Sequence, residues 1–239
     1  MADVVIIGGG IAGMSACAQL APYVKVVLLE AEPDLCYHSS GRSAATYIED
    51  YGNHVTKKLN KASLTFLKSK SQGFLKKRGL LLLGKKGEEA QFETDSKDLG
   101  LQTIPIDEAY KLIPALNGKS ITRQAYRPDV YDIDTHKLYE YYRTSALKHG
   151  AQIRKKTKLK TAYLKNKKWE IQSSAGDISA RALINAAGAW ADKVAEVCGV
   201  SKLNIRPFKR SIARMQAPAG INVQNWPMID GVGETWYAK

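Results

Sequence analysis

The sequence predicts an α/β fold that opens with a parallel βαβ unit. Three observations carry that expectation: a β-branched run at Val4–Ile7, a glycine-rich turn directly after it, and a second apolar run that ends in Glu30.

Val4, Val5, Ile6 and Ile7 are continuous rather than alternating, the pattern of a strand buried on both faces of a parallel sheet. The turn Gly8-Gly9-Gly10-Ile11-Ala12-Gly13 fits G-x-G-x-x-G, and the helix formers of Met14 to Leu20 follow until Pro22 closes the segment. Lys25 to Leu29 then form the second strand. Glu30 falls at the spacing of about 20 residues expected between such a turn and an acidic ribose ligand. Each position has a physical role. Gly8 permits the turn, Gly10 lets a pyrophosphate approach the backbone, and Gly13 lets the helix pack closely on the strands. The N–H groups around Ile11 and Ala12 open the helix, where the macrodipole favours the phosphates. A carboxylate at position 30 favours a free ribose hydroxyl pair, so the ligand expected is FAD or NAD and not NADP.

The bulk numbers bound the rest. A chain of 239 residues makes one large domain or two small ones, and 44% hydrophobic with 25% charged residues is ordinary for a packed globular protein. The net charge of +13 invites an anionic partner. However, the lysine-rich stretch from Arg154 to Lys168 is interleaved with Thr157, Leu159, Thr161 and Tyr163, which suits a solvated strand face, and no nucleic-acid partner is expected. Cys17, Cys36 and Cys198 are widely spaced, without a metal-ligand cluster, and read as reduced thiols. No metal is expected. No apolar run reaches membrane-spanning length and the opening residues lack a basic signal-peptide region, so the expectation is a cytoplasmic chain without an integral membrane segment.

FAD and NAD separate only at the next segment, Cys36-Tyr37-His38-Ser39-Ser40-Gly41-Arg42-Ser43-Ala44-Ala45. With this loop the sequence resembles the D-amino-acid oxidase superfamily of flavoproteins, and closely the bacterial FAD-dependent D-arginine dehydrogenase branch. Four further stretches agree: Asp132 to Thr135, Trp169 to Ile171, Leu183 to Asp192 (LINAAGAWAD), and Asn225 to Met228 leading to Glu234–Tyr237. The resemblance implies FAD as cofactor, in a Rossmann-like FAD-binding βαβ domain with a discontinuous, mainly β (α+β) substrate domain. Residues 1–75 and 136–202 would form the first, and 76–135 and 203–239 the second. Ser39, Arg42 and Ser43 offer hydroxyl and guanidinium donors after the ribose-binding strand, and Ala44 continues that loop. Ala187 and Gly188 are small enough for a cofactor to lie against the backbone, with Trp190 beside them. Relatives place the strand around Leu159 against the adenine. His38 matches a histidine of the branch that keeps its FAD dissociable.

The same resemblance implies oxidation of a C–N bond of a D-amino acid or related amine by hydride transfer to flavin N5. It puts Arg210 where the family pairs an arginine with the substrate carboxylate, a bidentate fit lysine does not reproduce. Tyr237 and Tyr51 match tyrosines that line the substrate pocket. The sequence departs from the branch at Thr46, at Ile48 and near Gly79, where Lys76-Lys77-Arg78 stand and no carboxylate does, so a neutral or acidic substrate is expected. The family's C-terminal third has no counterpart after Tyr237. A second polypeptide completing the enzyme, or a truncated product, is the resulting expectation. Helices are expected at about 54–71 and 135–148, hairpin strands over 151–181, a strand and helix over 183–198, and strands from 205 onward.

Overall fold

A computed structural model describes residues 1–69, 73–217 and 219–239. They form two compact units, Met1–Ser43 with Thr135–Ile212, and Ala44–Asp134 with Ala213–Lys239. The chain opens with β1 (Ala2–Ile7), α1 (Ile11–Leu20), β2 (Val26–Leu29), β3 (Thr46–Tyr47), α2 (His54–Ser69), β4 (Leu75–Lys77) and β5 (Leu80–Gly84). It continues with α3 (Glu89–Asp98), β6 (Gln102–Thr103), α4 (Ile106–Leu112), β7 (Arg123–Arg127), β8 (Tyr131–Ile133), α5 (Thr135–Lys148) and β9 (Gln152–Arg154). It closes with β10 (Leu159–Lys165), β11 (Lys168–Ser173), β12 (Gly176–Asn185), α6 (Ala191–Val197), β13 (Met228–Gly231) and β14 (Tyr237–Ala238).

The first unit holds a sheet of order β10-β11-β12-β1-β2-β9. β12, β1, β2 and β9 run parallel, while β10 and β11 return as antiparallel strands beside β12. The continuous apolar run of β1 is explained by what covers it. Val5 and Ile7 pack with Ala162, Ile171 and Val194 on one face, whereas Ile6 packs with Met14 and Cys17 of α1 and Tyr139 and Ala146 of α5 on the other. No side chain of β1 is left for solvent to select as polar, apart from Asp3 near its start. The β10–β11 hairpin turns at Asn166 and Lys167, both at positive φ (49° and 63°), the geometry of a two-residue turn that matches strand twist.

The second unit holds a sheet of order β14-β13-β5-β7-β6 and a smaller one of order β3-β8-β4. All five residues of β5 are buried. Leu81 and Leu83 pack on Ala109 and Ile113 around α4, and Leu82 packs on Phe92 of α3. The segment 44–75, expected with the first domain, lies in this unit instead, because both β3 and β4 pair with β8. Helix α2 starts where the Asn53 carboxamide accepts the N–H groups of Val55 and Thr56, both at 3.0 Å, a side-chain N-cap. It runs to Ser69, and the last two residues of the expected 54–71 helix lie outside the described residues.

One expectation is overturned. Residues 200–217 form no strand and are exposed throughout, and pairing resumes only at β13. A strand is held by the neighbour whose N–H and C=O groups it pairs, and among the described residues none lies alongside this segment. Its start is held by a side chain instead: the Asp192 carboxylate accepts the N–H groups of Leu203 and Ile205, each at 2.9 Å.

Candidate functional site

The parallel strands of the first unit end together, with Ile7 level with Leu29 on one side and with Asn185 on the other. After β1 the chain crosses to α1 on one face of the sheet, and after β12, the neighbouring strand, it passes to α6 on the other face. Such a switch point opens a crevice at the carboxyl ends of the strands.

The glycine turn is packed to a degree that excludes side chains. Gly8 sits at φ 109°, and a Cβ there would lie 2.5 Å from the carbonyl oxygen of Ala186. A Cβ on Gly13 would lie 1.9 Å from the Gly8 oxygen. A Cβ on Gly10, by contrast, would meet only the Ser40 hydroxyl, at 3.1 Å. Packing thus closes Gly8 and Gly13 to any side chain, whereas Gly10 faces a polar opening. Helix α1 carries no acidic residue in its first turn, so the chain itself does not neutralise the positive end of the helix. The Ser40 Oγ accepts the Ile11 N–H at 3.0 Å, where a ligand oxygen would also be welcome. Ala12 follows in the same first turn.

Glu30 closes β2. Its Oε2 accepts the Gly9 N–H at 2.6 Å and its Oε1 accepts the Glu32 N–H at 2.8 Å. Two backbone donors fix the carboxylate, and each oxygen keeps a lone pair for a ribose hydroxyl. The Glu30 carbonyl accepts the N–H of Thr157, which is 3% exposed, so the loop entering β10 is tied to this corner and Leu159 begins the strand two residues later.

The loop expected to hold the cofactor forms a short helical turn, Ser39–Gly41. Arg42 turns back, with its Nε donating to the Tyr37 carbonyl at 3.2 Å and its guanidinium over the Tyr37 ring. Ser43 ends the first unit and Ala44 opens the second. Beyond β12, Ala187 precedes a second helical turn, Gly188–Trp190, in which Gly188 has φ 53° and open space where a Cβ would be. Cys36, beside this corner, is pushed up to about 11 by burial and by the neighbouring Glu30, so at neutral pH it is a thiol and not a nucleophile.

The residues expected on the substrate side are distributed over both units. Arg210 belongs to the exposed segment of the first unit. Tyr51 and Tyr237 belong to the second. Tyr51 donates its hydroxyl to Glu234 at 3.1 Å and lines a cavity of about 200 Å³ with Asp50, Asp95, Asp98 and Asp230. Tyr237 lies in β14 opposite Asp230 and packs beside Leu80 and Met228. Asp50 is paired with Arg127 at 2.6 Å, and Asp95 accepts the Gly233 N–H at 2.7 Å.

Two of the three cations before Gly79 have carboxylate neighbours. Arg78 grips Asp132 through Nε at 2.7 Å and Nη2 at 2.6 Å, and Lys77 lies 3.7 Å from Asp129. These carboxylates are distant in sequence, and only folding brings them to the lysine-arginine run. Sequence reasoning also passed over Ser40, Glu32 and Asp192. Ser40 had a signal, being one residue from Ser39 in a loop already chosen, but the choice between two adjacent serines needs the helical turn that orients them.

Among the described residues no helix is long and apolar enough to cross a membrane. The fold is shared with solved dehydrogenases and oxidases. L-proline dehydrogenase from P. horikoshii superposes with a TM-score of 0.75 at 21% identity, over 96% of this chain and 64% of its own. L-α-glycerophosphate oxidase from Mycoplasma pneumoniae gives 0.73 at 21% identity, over 83% of this chain and 57% of its own. Glycine oxidase from Geobacillus kaustophilus gives 0.72 at 21% identity, over 84% and 59%. The chain thus spans less than two thirds of the length of each of these proteins. At this identity the likeness establishes the fold. A family model described as DAO, FAD dependent oxidoreductase, matches residues 3–237, nearly the whole chain. The glycine turn, the acid that ends β2 and the family match meet in one conclusion: this chain belongs to the DAO family of FAD-dependent oxidoreductases, whose cofactor is FAD.

Proposed function

We propose that the first unit is the FAD-binding domain, the second contributes to the substrate domain, and the protein oxidises a C–N bond of a D-amino acid or related amine. The observation that carries this reading is the corner where Glu30, fixed by the Gly9 and Glu32 amides, stands beside a helix N-terminus with no acidic residue in its first turn, at the switch point of a parallel sheet. Bound FAD would supply the two-electron acceptor. The chain's own residues bind and orient: Gly10, Ile11 and Ala12 offer backbone to the pyrophosphate, Glu30 takes the ribose, and Ser39, Arg42, Ser43 and Ala44 serve the polar side of the cofactor. Leu159, Ala187, Gly188 and Trp190 line the remaining wall. Arg210 pairs with a substrate carboxylate, and Tyr51 and Tyr237 border the substrate. The preference for the D-enantiomer rests on the sequence resemblance alone.

A second reading has its own observation. Phe208 is 89% exposed and Met215 88%, in a segment that also exposes Leu203 and Ile212. Apolar surface of this kind marks a contact to be covered, which favours a flavin-binding chain that needs another polypeptide for activity. The purified protein, loaded with FAD and mixed with D- and L-amino acids without oxygen, tests both. Bound flavin bleached by a D-amino acid supports catalysis by this chain, and bound flavin that no amino acid bleaches supports the second reading. A folded chain that takes up no FAD removes both.

A further inference from the structure

We infer that His38 is a positioning residue for the cofactor, holding three separate segments of the crevice in one arrangement before FAD arrives; this rests on the FAD-binding reading above. The His38 Nε2 lies 2.9 Å from the Glu32 carboxylate, and the imidazole packs on the Trp190 ring with centroids 4.5 Å apart and planes at 50°. The Tyr37 ring meets the same imidazole edge-on at 5.0 Å. A carboxylate only accepts, so Nε2 carries the proton in this contact.

What the imidazole joins gives it its role. Glu32 is the residue whose N–H fixes Glu30, and its carbonyl accepts the Lys156 N–H at 3.1 Å, tying in the approach to β10. Trp190 ends the turn that Gly188 opens and Ala187 precedes. His38 itself begins the turn of Ser39 and Ser40, its carbonyl accepting the Gly41 N–H at 3.1 Å. One side chain therefore connects the end of β2, the serine loop and the turn after β12, and all of these contacts lie within the first unit. The three partners are each partly exposed, with Glu32 and His38 at 35% and 40% and Trp190 at 42%, so the cluster contributes little to the core. Its value is preorganisation. Ordering the donors in advance spares FAD the entropy of doing so on binding.

The test titrates FAD into the wild-type chain and into His38→Ala, His38→Phe and His38→Gln, following flavin fluorescence and the quenching of Trp190 emission against a W190F blank. The expected result is about tenfold weaker FAD binding in His38→Ala, from losing the ring contact and the hydrogen bond to Glu32 together. His38→Phe, which keeps the ring, and His38→Gln, which keeps a donor for Glu32, each recover part of it. The melting temperature without FAD stays close to wild type in all three. Equal FAD affinity in His38→Ala and wild type overturns the inference, as does loss of the apo melting temperature without recovery in the conservative variants. Flavin that stays attached to His38 after denaturation also overturns it, making the histidine an attachment point. A folded wild-type chain that takes up no FAD is a distinct result, since it removes the cofactor reading on which the inference rests.

Discussion

Two stretches of this chain read alike in the sequence and fold differently. Residues 2–7 and residues 203–215 both carry apolar side chains in strand-compatible patterns, yet Ile6 is fully buried and Phe208 is 89% exposed. The difference lies in the neighbours. β1 has β2 on one side and β12 on the other, with α1 and α5 covering one face, whereas the later segment meets no strand among the described residues. Apolar patterning therefore marks a segment that needs covering, and the partner decides whether it becomes a strand.

The sharpest way to break this comparison is at the glycine turn. Gly13→Val places a branched side chain where even a Cβ lies 1.9 Å from the Gly8 oxygen, and the expected outcome is loss of cooperative folding by circular dichroism, together with all FAD binding. Next in size is Ile6→Ala, which empties a fully buried position and is expected to lower the stability of the chain by about 2–5 kcal/mol in urea titrations. The matching change in the exposed segment, Phe208→Ser, is expected to stay within about 0.5 kcal/mol, and a loss as large as that of Ile6→Ala would mean the segment is packed after all. Glu30→Gln keeps the shape of the corner and removes its charge. FAD binding is expected to weaken about tenfold to a hundredfold, on the scale of a lost charge-assisted hydrogen bond, read by flavin fluorescence. The smallest effect concerns Cys36. Because its pKa is raised to about 11, the thiolate is scarce at pH 8, so alkylation by iodoacetamide is expected to be slow there and to quicken steadily as the pH rises toward that value. Rapid alkylation at pH 7 would contradict the buried corner.

The corner where β1 and β2 end was legible because its signal is local. G-x-G-x-x-G followed by a helix, a second strand and an acid encode a turn, a helix dipole and a carboxylate at the strand end within thirty residues, and the structure has them in that order. Helix α5 was equally legible, its expected limits of 135 and 148 coinciding with Thr135–Lys148. The grouping of residues 44–75 was not, since β3 and β4 take their place from pairing with β8, more than fifty residues further on. The same holds for charge. Lys76-Lys77-Arg78 reads as a positive run, but Arg78 is held by Asp132 and by the carbonyls of Gln224 and Trp226. Pairing across such distances in sequence leaves no local trace.

By itself the sequence determined the βαβ unit, its glycine geometry and the acid at its end, because those depend on steric limits and dipoles that act between residues close along the chain. The tertiary structure alone decided which segments share a sheet, which cations are already paired, and that His38 joins Glu32 to Trp190 across the corner, because each of these depends on a neighbour that only folding supplies.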